Sequence, residues 1–323
     1  MNLADIYMKF QSDISIIEKE LEANVQARHD VLREASTHLL KAGGKRIRPV
    51  LVLLAAKFGN YNIDVLKHVA VPLELIHMAS LVHDDVIDDA ELRRGKKTIK
   101  SQWDNRVAMY TGDYIFAKAV EASTFFDDPK IHQILSHAIV EMCVGEVEQI
   151  RDQYNWNQNL RIYFRRIKRK TALLIAVSCQ LGALAAKAEP SIQKKLFFFG
   201  YYVGMSFQIT DDILDFVGTE EQLGKPAGGD LLQGNVTLPA LYALYHDDKS
   251  KALIKETLSN PYLEHQDMAE VISAIKHSGG IEYALSISDR YLEKALKALE
   301  PLPEQKAKTY FREIAMFIGK RKF

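Results

Sequence analysis

The sequence predicts an all-α protein, a single large antiparallel helical bundle around a central cavity, and three observations carry that reading. Apolar residues recur at helical period along nearly every long stretch. No run alternates apolar and polar residues between turn signals, and glycine and proline are sparse and clustered. With 323 residues, 47% of them hydrophobic, the chain can fill a sizeable core. No linker rich in Pro, Gly or Ser divides it and no repeat of solenoid period appears, so one domain over 1–323 is expected.

Taken in order, VLREASTHLLKA (31–42) is the first clear helix, and Gly43 and Gly44 can end it. Pro49 suits the first turn of the next, entered through AGGKRIRP (42–49). VPLELIHMASLVHDDVIDDA (71–90), KIHQILSHAIVEMCVGEVEQI (130–150) and RIYFRRIKRKTALLIAVSCQLGALAAKA (161–188) keep the period. The EPS break at 189–191 precedes KKLFFFGYYVGMSFQITDDILDF (194–216). A Gly-rich segment, TEEQLGKPAGGDLLQGN (219–235), interrupts the pattern before SDRYLEKALKALE (288–300) resumes it. About ten helices are expected in all.

Forty-two basic residues balance forty-two acidic ones, so the global charge favours neither a nucleic-acid nor an anionic-membrane partner. Cys143 and Cys179 are too few for a disulfide framework, and MNLADIYMKFQSD lacks the layout of a signal peptide; a cytoplasmic setting is expected. TALLIAVSCQLGALAAKA (171–188) approaches the length of a membrane span. It holds Thr171, Ser178 and Gln180 and follows a basic run, so it reads as a buried bundle helix and no transmembrane segment is expected.

Chemistry enters with SLVHDDVIDDAELRRG (80–95). On a helix with His77 at zero, Asp84 falls at about −20° and Asp88 at about +20°, one stripe shared with His77. Asp84 with Asp88 and Asp85 with Asp89 are like charges at i,i+4, each pair costing about 0.2–0.5 kcal/mol on a wet helix. A sequence shaped by folding alone avoids this. Hard oxygen ligands one turn apart can instead share Mg²⁺, which keeps its remaining positions for water or phosphate. GMSFQITDDILDF repeats the spacing with Asp211, Asp212 and Asp215, and Gln208 lies on the Asp211/Asp215 face. Solvated acidic faces are the bland alternative, weakened because both motifs sit among apolar residues.

The opposite charge is also present. Lys45, Arg46 and Arg48 crowd a helix entry, where cations oppose the dipole unless an anion binds. Arg93 and Arg94 follow the first aspartates, and Lys170 opens the TALLIAV helix. Beside six carboxylates suited to metal, these cations point to diphosphate chemistry. His77 could equally be a satisfied core residue, and Glu146 and Gln149 are only candidates to line a cavity.

GGKRIRP, ELIHMASLVHDDVIDDAELRRG, KRKTALL, GMSFQITDDILDF and LGKPAGGDLLQGNVTLP resemble, in that order, the trans-isoprenyl diphosphate synthases, over roughly residues 35 to 240. The resemblance implies an all-helical, usually dimeric enzyme in which Asp84, Asp85, Asp88, Asp211, Asp212 and Asp215 hold Mg²⁺, roughly three ions with substrate bound, on an allylic diphosphate. It implies that Lys45, Arg48, His77 and Arg94 bind isopentenyl diphosphate, and that Arg93, Lys170 and Lys225 face the allylic diphosphate. Thr171 and Gln208 would turn their oxygens toward the allylic carbons, and loop 218–235 would act as a lid. The DLLQGNVTLP spelling is similar to the catalytic component of two-component heptaprenyl diphosphate synthases, which work with a small, dissimilar subunit and supply the menaquinone side chain. Asn235 stands where many members have Lys. Ala79 and Ser80 lie where the family sets product length, and their small size argues against a short product. A shorter-chain synthase, a class I terpene cyclase and an inactive regulatory subunit are the rival readings.

Overall fold

The computed structural model describes residues 3–93, 95–219, 227–260 and 265–319. It is all-α: among the described residues the sheet is confined to a ribbon, β1 (Leu92–Arg93) antiparallel to β2 (Lys96–Lys97). In chain order, the α-helices among the described residues before the Gly-rich loop are α1 (Leu3–Lys9), α2 (Gln11–Asn24), α3 (Asp30–Lys41), α4 (Ile47–Ala56), α5 (Ile63–Ile87), α6 (Ile99–Gln102), α7 (Asn105–Ser123), α8 (Pro129–Asp152), α9 (Leu160–Ile167), α10 (Leu173–Ala185) and α11 (Pro190–Val217). Contacts group the chain into two compact units, each assembled from three separated stretches, so no single cut in the sequence parts them.

The first unit takes residues 1–139, 174–198 and 301–313. Its centre is α4 and α5. Val50 to Ala56 are buried throughout, and each large aliphatic side chain among them contributes about 1.5–3 kcal/mol by leaving water. Gly182 permits the close approach to α4, since a Cβ there would stand 2.3 Å from the Val52 carbonyl oxygen. α5 begins at Asn62, whose side chain accepts from the Asp64 amide at 3.0 Å. Pro72 withholds one amide from its ladder and is itself buried. By length and composition α5 could cross a membrane, yet 67% of its most apolar window is buried inside the fold, as in a core helix.

The second unit takes 140–173, 199–300 and 314–323. Tyr163, Ile209, Ile213, Phe216, Val236, Leu238 and Leu241 share one apolar core. The helices Leu238–His246 and Gly280–Leu299 pack directly, and a Cβ on Gly280 would meet the Pro239 carbonyl oxygen at 2.4 Å. Beside this core on α11, Ser206 and Thr210 pair their buried hydroxyls with Ser288, the Ser206 and Ser288 oxygens 2.8 Å apart.

The run 161–188, uniform in its apolar period, is divided in the structure. A π-helical turn, Lys168–Ala172, separates α9 from α10. Such single-turn widenings recur at functional sites. Lys170 therefore sits inside a bulged turn, where the sequence placed it at the opening of a new helix.

Candidate active site

Both acidic motifs close a long helix, Asp84 and Asp85 in the last turn of α5 with Asp88 at its C-cap, and Asp211, Asp212 and Asp215 within the last two turns of α11. α5 stops at Ile87 through a Schellman arrangement: the Asp89 amide donates to Val86 O at 3.3 Å and the Ala90 amide to Asp85 O at 2.9 Å. Asp89 supplies the left-handed residue this ending needs, at φ 52°. Aspartate tolerates that conformation better than most residues, and Lys100 pairs with its carboxylate. Asp84 and Asp88, half-buried, stand one turn apart on the same face.

Asp85 is different. Buried, with 4% of its surface exposed, it accepts from Arg93 Nε at 2.8 Å and Arg93 Nη2 at 2.7 Å. Burial raises its pKa, and the Arg93 hydrogen bond and charge, with Lys100 beyond, offset only part of that. Ribbon β1–β2 thus returns Arg93 to the helix it has just left.

The basic loop divides in the same way. Arg46 is buried in a left-handed conformation and salt-bridged to Glu18 and, at 3.1 Å, to Glu74. Burial pulls its pKa down, but the two carboxylates outweigh it and leave it raised. Arg46 is an anchor within the fold, a correction to its place among anion-facing cations. Lys45 remains exposed and Arg48 half-buried at the first turns of α4, which packs on α5, the helix of the half-buried His77. Ala79 is fully buried, whereas Ser80 is half-buried with its hydroxyl turned to His77 O at 2.8 Å. Arg94 and Lys225 lie outside the described residues, as does 220–226 of the Gly-rich loop.

In the second unit, α11 carries Gln208, Asp211, Asp212 and Asp215. Gln208 shares the Asp211/Asp215 side of α11, and its Nε2 donates to Asp212 Oδ1 at 2.8 Å. Tyr163 donates to Asp212 Oδ2 at 2.7 Å, and the Thr171 hydroxyl donates to Gln208 Oε1 at 2.5 Å. Lys170 Nζ donates to the buried Gln149 at 3.1 Å. The π-turn and α11 approach closely because residue 204 is glycine: a Cβ there would be 2.5 Å from Ala172 Cα. Asp215 Oδ2 accepts the Asp230 amide at 3.1 Å, which draws the loop after 226 onto the motif.

Tyr163, Asp230 and Arg166 are site residues that the sequence did not signal. Burial, then the nearby Asp230 charge, pushes the Asp212 pKa up to about 7 against Gln208, Tyr163 and Arg166. Such crowding of acid is relieved by a cation. Asp84 with Asp88, and Asp211 with Asp215, are pairs of hard oxygen donors, and no group of three or more protein ligands converges among the described residues. Pairs of this kind suit an ion that takes its other ligands from phosphate and water, so the residues fit Mg²⁺.

A family model described as polyprenyl synthetase matches residues 29–275. The chain is 60% identical over 323 residues, all of both proteins, to heptaprenyl diphosphate synthase component 2 of Geobacillus stearothermophilus. Against component 2 of Bacillus subtilis the figure is 59% over 318 residues, 98% of this chain and 90% of the relative. The crystal structure of heptaprenyl diphosphate synthase from Staphylococcus aureus superposes with a TM-score of 0.92 at 41% identity, covering 97% of this chain and 98% of the other. A polyprenyl synthase from Caulobacter crescentus, complexed with calcium and isoprenyl diphosphate, gives 0.92 at 29% identity over 98% and 97%.

Proposed function

The chain belongs to the polyprenyl synthetase family, and on that premise we propose that it makes heptaprenyl diphosphate, adding isopentenyl diphosphate repeatedly to farnesyl diphosphate. It is a prenyltransferase of the long-chain trans type. The observation that carries the site reading is the placing of Asp84/Asp88 and Asp211/Asp215, each pair one turn apart, in the final turns of α5 and α11. In this reading Mg²⁺, when bound by those pairs, neutralises the allylic diphosphate as a leaving group.

The chain's own residues do the rest by electrostatics. Arg93 and Lys170, with Lys225, attract the allylic diphosphate; Lys45, Arg48 and His77, with Arg94, hold that of isopentenyl diphosphate. The allylic C–O bond breaks with its electron pair leaving on the diphosphate. The oxygens of Thr171 and Gln208 stabilise the resulting allylic cation. The isopentenyl double bond attacks it, a C–C bond forms, and the new cation loses a proton to the released diphosphate. No protein nucleophile takes part.

Asn235 leaves the allylic diphosphate one cation fewer than in many members. In this reading the full chain acts as one catalytic domain, as a dimer or with a small second component, and the name component 2 carried by its relatives supports a further component. Its setting is the cytoplasm and its product serves menaquinone synthesis. The test is to incubate the chain with Mg²⁺, farnesyl and isopentenyl diphosphates, with and without a cognate small component, and chromatograph the dephosphorylated products. A heptaprenyl alcohol is expected; no condensation in either arm overturns the reading.

A further inference from the structure

We infer that Tyr163 is a positioning residue for the reaction, fixing through Asp212 the direction in which the amide oxygen of Gln208 points. The inference rests on the reading of Thr171 and Gln208 given above. Its basis is an unbroken relay of four side chains: Tyr163 Oη to Asp212 Oδ2 at 2.7 Å, Gln208 Nε2 to Asp212 Oδ1 at 2.8 Å, and Thr171 Oγ1 to Gln208 Oε1 at 2.5 Å.

With Tyr163 donating to one Asp212 oxygen, the other accepts the Gln208 NH2, and the Gln208 oxygen is left to accept from the Thr171 hydroxyl. Flipping the amide would set Oε1 against Oδ1, two acceptors face to face, and leave the Thr171 hydroxyl opposite an NH2. The choice is therefore made by Asp212. What holds Asp212 is Tyr163, which takes the second carboxylate oxygen and stops the group turning away. Tyr163 is itself fixed: it has no exposed surface, and the Arg166 guanidinium lies 5.6 Å from its ring centre. Arg166 in turn donates to Gln158 Oε1 at 2.9 Å and to Val236 O. Wholly buried, Tyr163 can act on substrate only through the side chains it holds. The close packing at Gly204 keeps both ends of the relay in register.

A buried tyrosine hydroxyl needs a partner whatever its role, so the test must separate aim from stability. In the full-length enzyme, with its second component where that is required, Tyr163→Phe is expected to lower kcat on the order of tenfold, leaving the allylic KM and the Mg²⁺ requirement unchanged. In a Gln208→Ala background the same change is expected to cost less than about twofold, because the group it aims is gone. In metal-free, 15N-labelled protein the Gln208 side-chain amide signals, identified by their loss in Gln208→Ala, should shift in Tyr163→Phe. An unchanged kcat in Tyr163→Phe, or an undiminished cost in the Gln208→Ala background, overturns the inference. Should Tyr163→Phe not fold, Arg166→Lys, which loosens the Tyr163 ring without touching the acidic motif, goes through the same cycle, and an undiminished cost there likewise overturns it. A wild-type chain that condenses nothing defeats the functional reading instead, while the amide signals still report whether the relay exists.

Discussion

Arg93 reaches back eight residues to Asp85, and two of its nitrogens stand 2.7 and 2.8 Å from the same carboxylate oxygen. The three aspartates of the first motif therefore have two kinds of surroundings. Asp84 and Asp88 share a half-buried face, and Asp85 is buried against a cation. Asp84→Ala and Asp88→Ala are each expected to lower turnover roughly a hundredfold to a thousandfold. Asp85→Asn should cost roughly tenfold to a hundredfold, through a slack Arg93. Steady-state kinetics at saturating Mg²⁺ check the ranking.

Removing one of two like charges a turn apart relieves the helix. Asp84→Ala should thus leave the melting temperature of metal-free protein unchanged or slightly higher, by about 0.3 kcal/mol of stability. Thermal melts followed by far-UV circular dichroism, with chelator present, are the measurement.

Asp212 sets a pH dependence. Its pKa rises from an ordinary unfolded value of about 3.9 to about 7 in the fold. Between those values the native state binds more protons than the unfolded one, so stability falls as pH rises from about 4 through 7. Metal-free protein should melt at a lower temperature at pH 8 than at pH 5.5, and Asp212→Asn should flatten that slope. Adding Mg²⁺ with a diphosphate analogue should offset the loss at pH 8.

Product length offers a separate check. Ser80 is half-buried, one turn before Asp84, whereas Ala79 has no exposed surface. Ser80→Phe is expected to shorten the product with little loss of stability. Ala79→Tyr must force a ring into a filled space and should cost about 1–3 kcal/mol before any effect on length is seen. Chromatography of the products and melts of both variants distinguish the two positions.

Gly204→Ala tests the contact between α11 and the π-turn. The added Cβ would stand 2.5 Å from Ala172 Cα, a backbone atom that can yield only if a helix moves. A loss of about 1–3 kcal/mol is expected, with a fall in turnover as Thr171 and Gln208 separate.

The all-α class and the two acidic motifs could be read from the sequence because both are local. Apolar period declares a helix within a few turns, and i,i+4 spacing places two carboxylates on one face whatever surrounds them. What escaped was set by distant partners. Arg46 looked like one of three equivalent cations until Glu74, 28 residues away, took its guanidinium. Asp212 looked like its neighbours, yet Tyr163, 49 residues away, holds it. The π-turn at 168–172 escaped for another reason: one wider turn barely disturbs the apolar period around it.

α5 and α11 each finish where their aspartates are, so the carboxylates add to the partial negative charge of the outgoing carbonyls. Folding alone would favour lysine or arginine at such positions. Each terminus therefore carries negative charge beyond what folding favours, which in the reading proposed above a bound Mg²⁺ would offset.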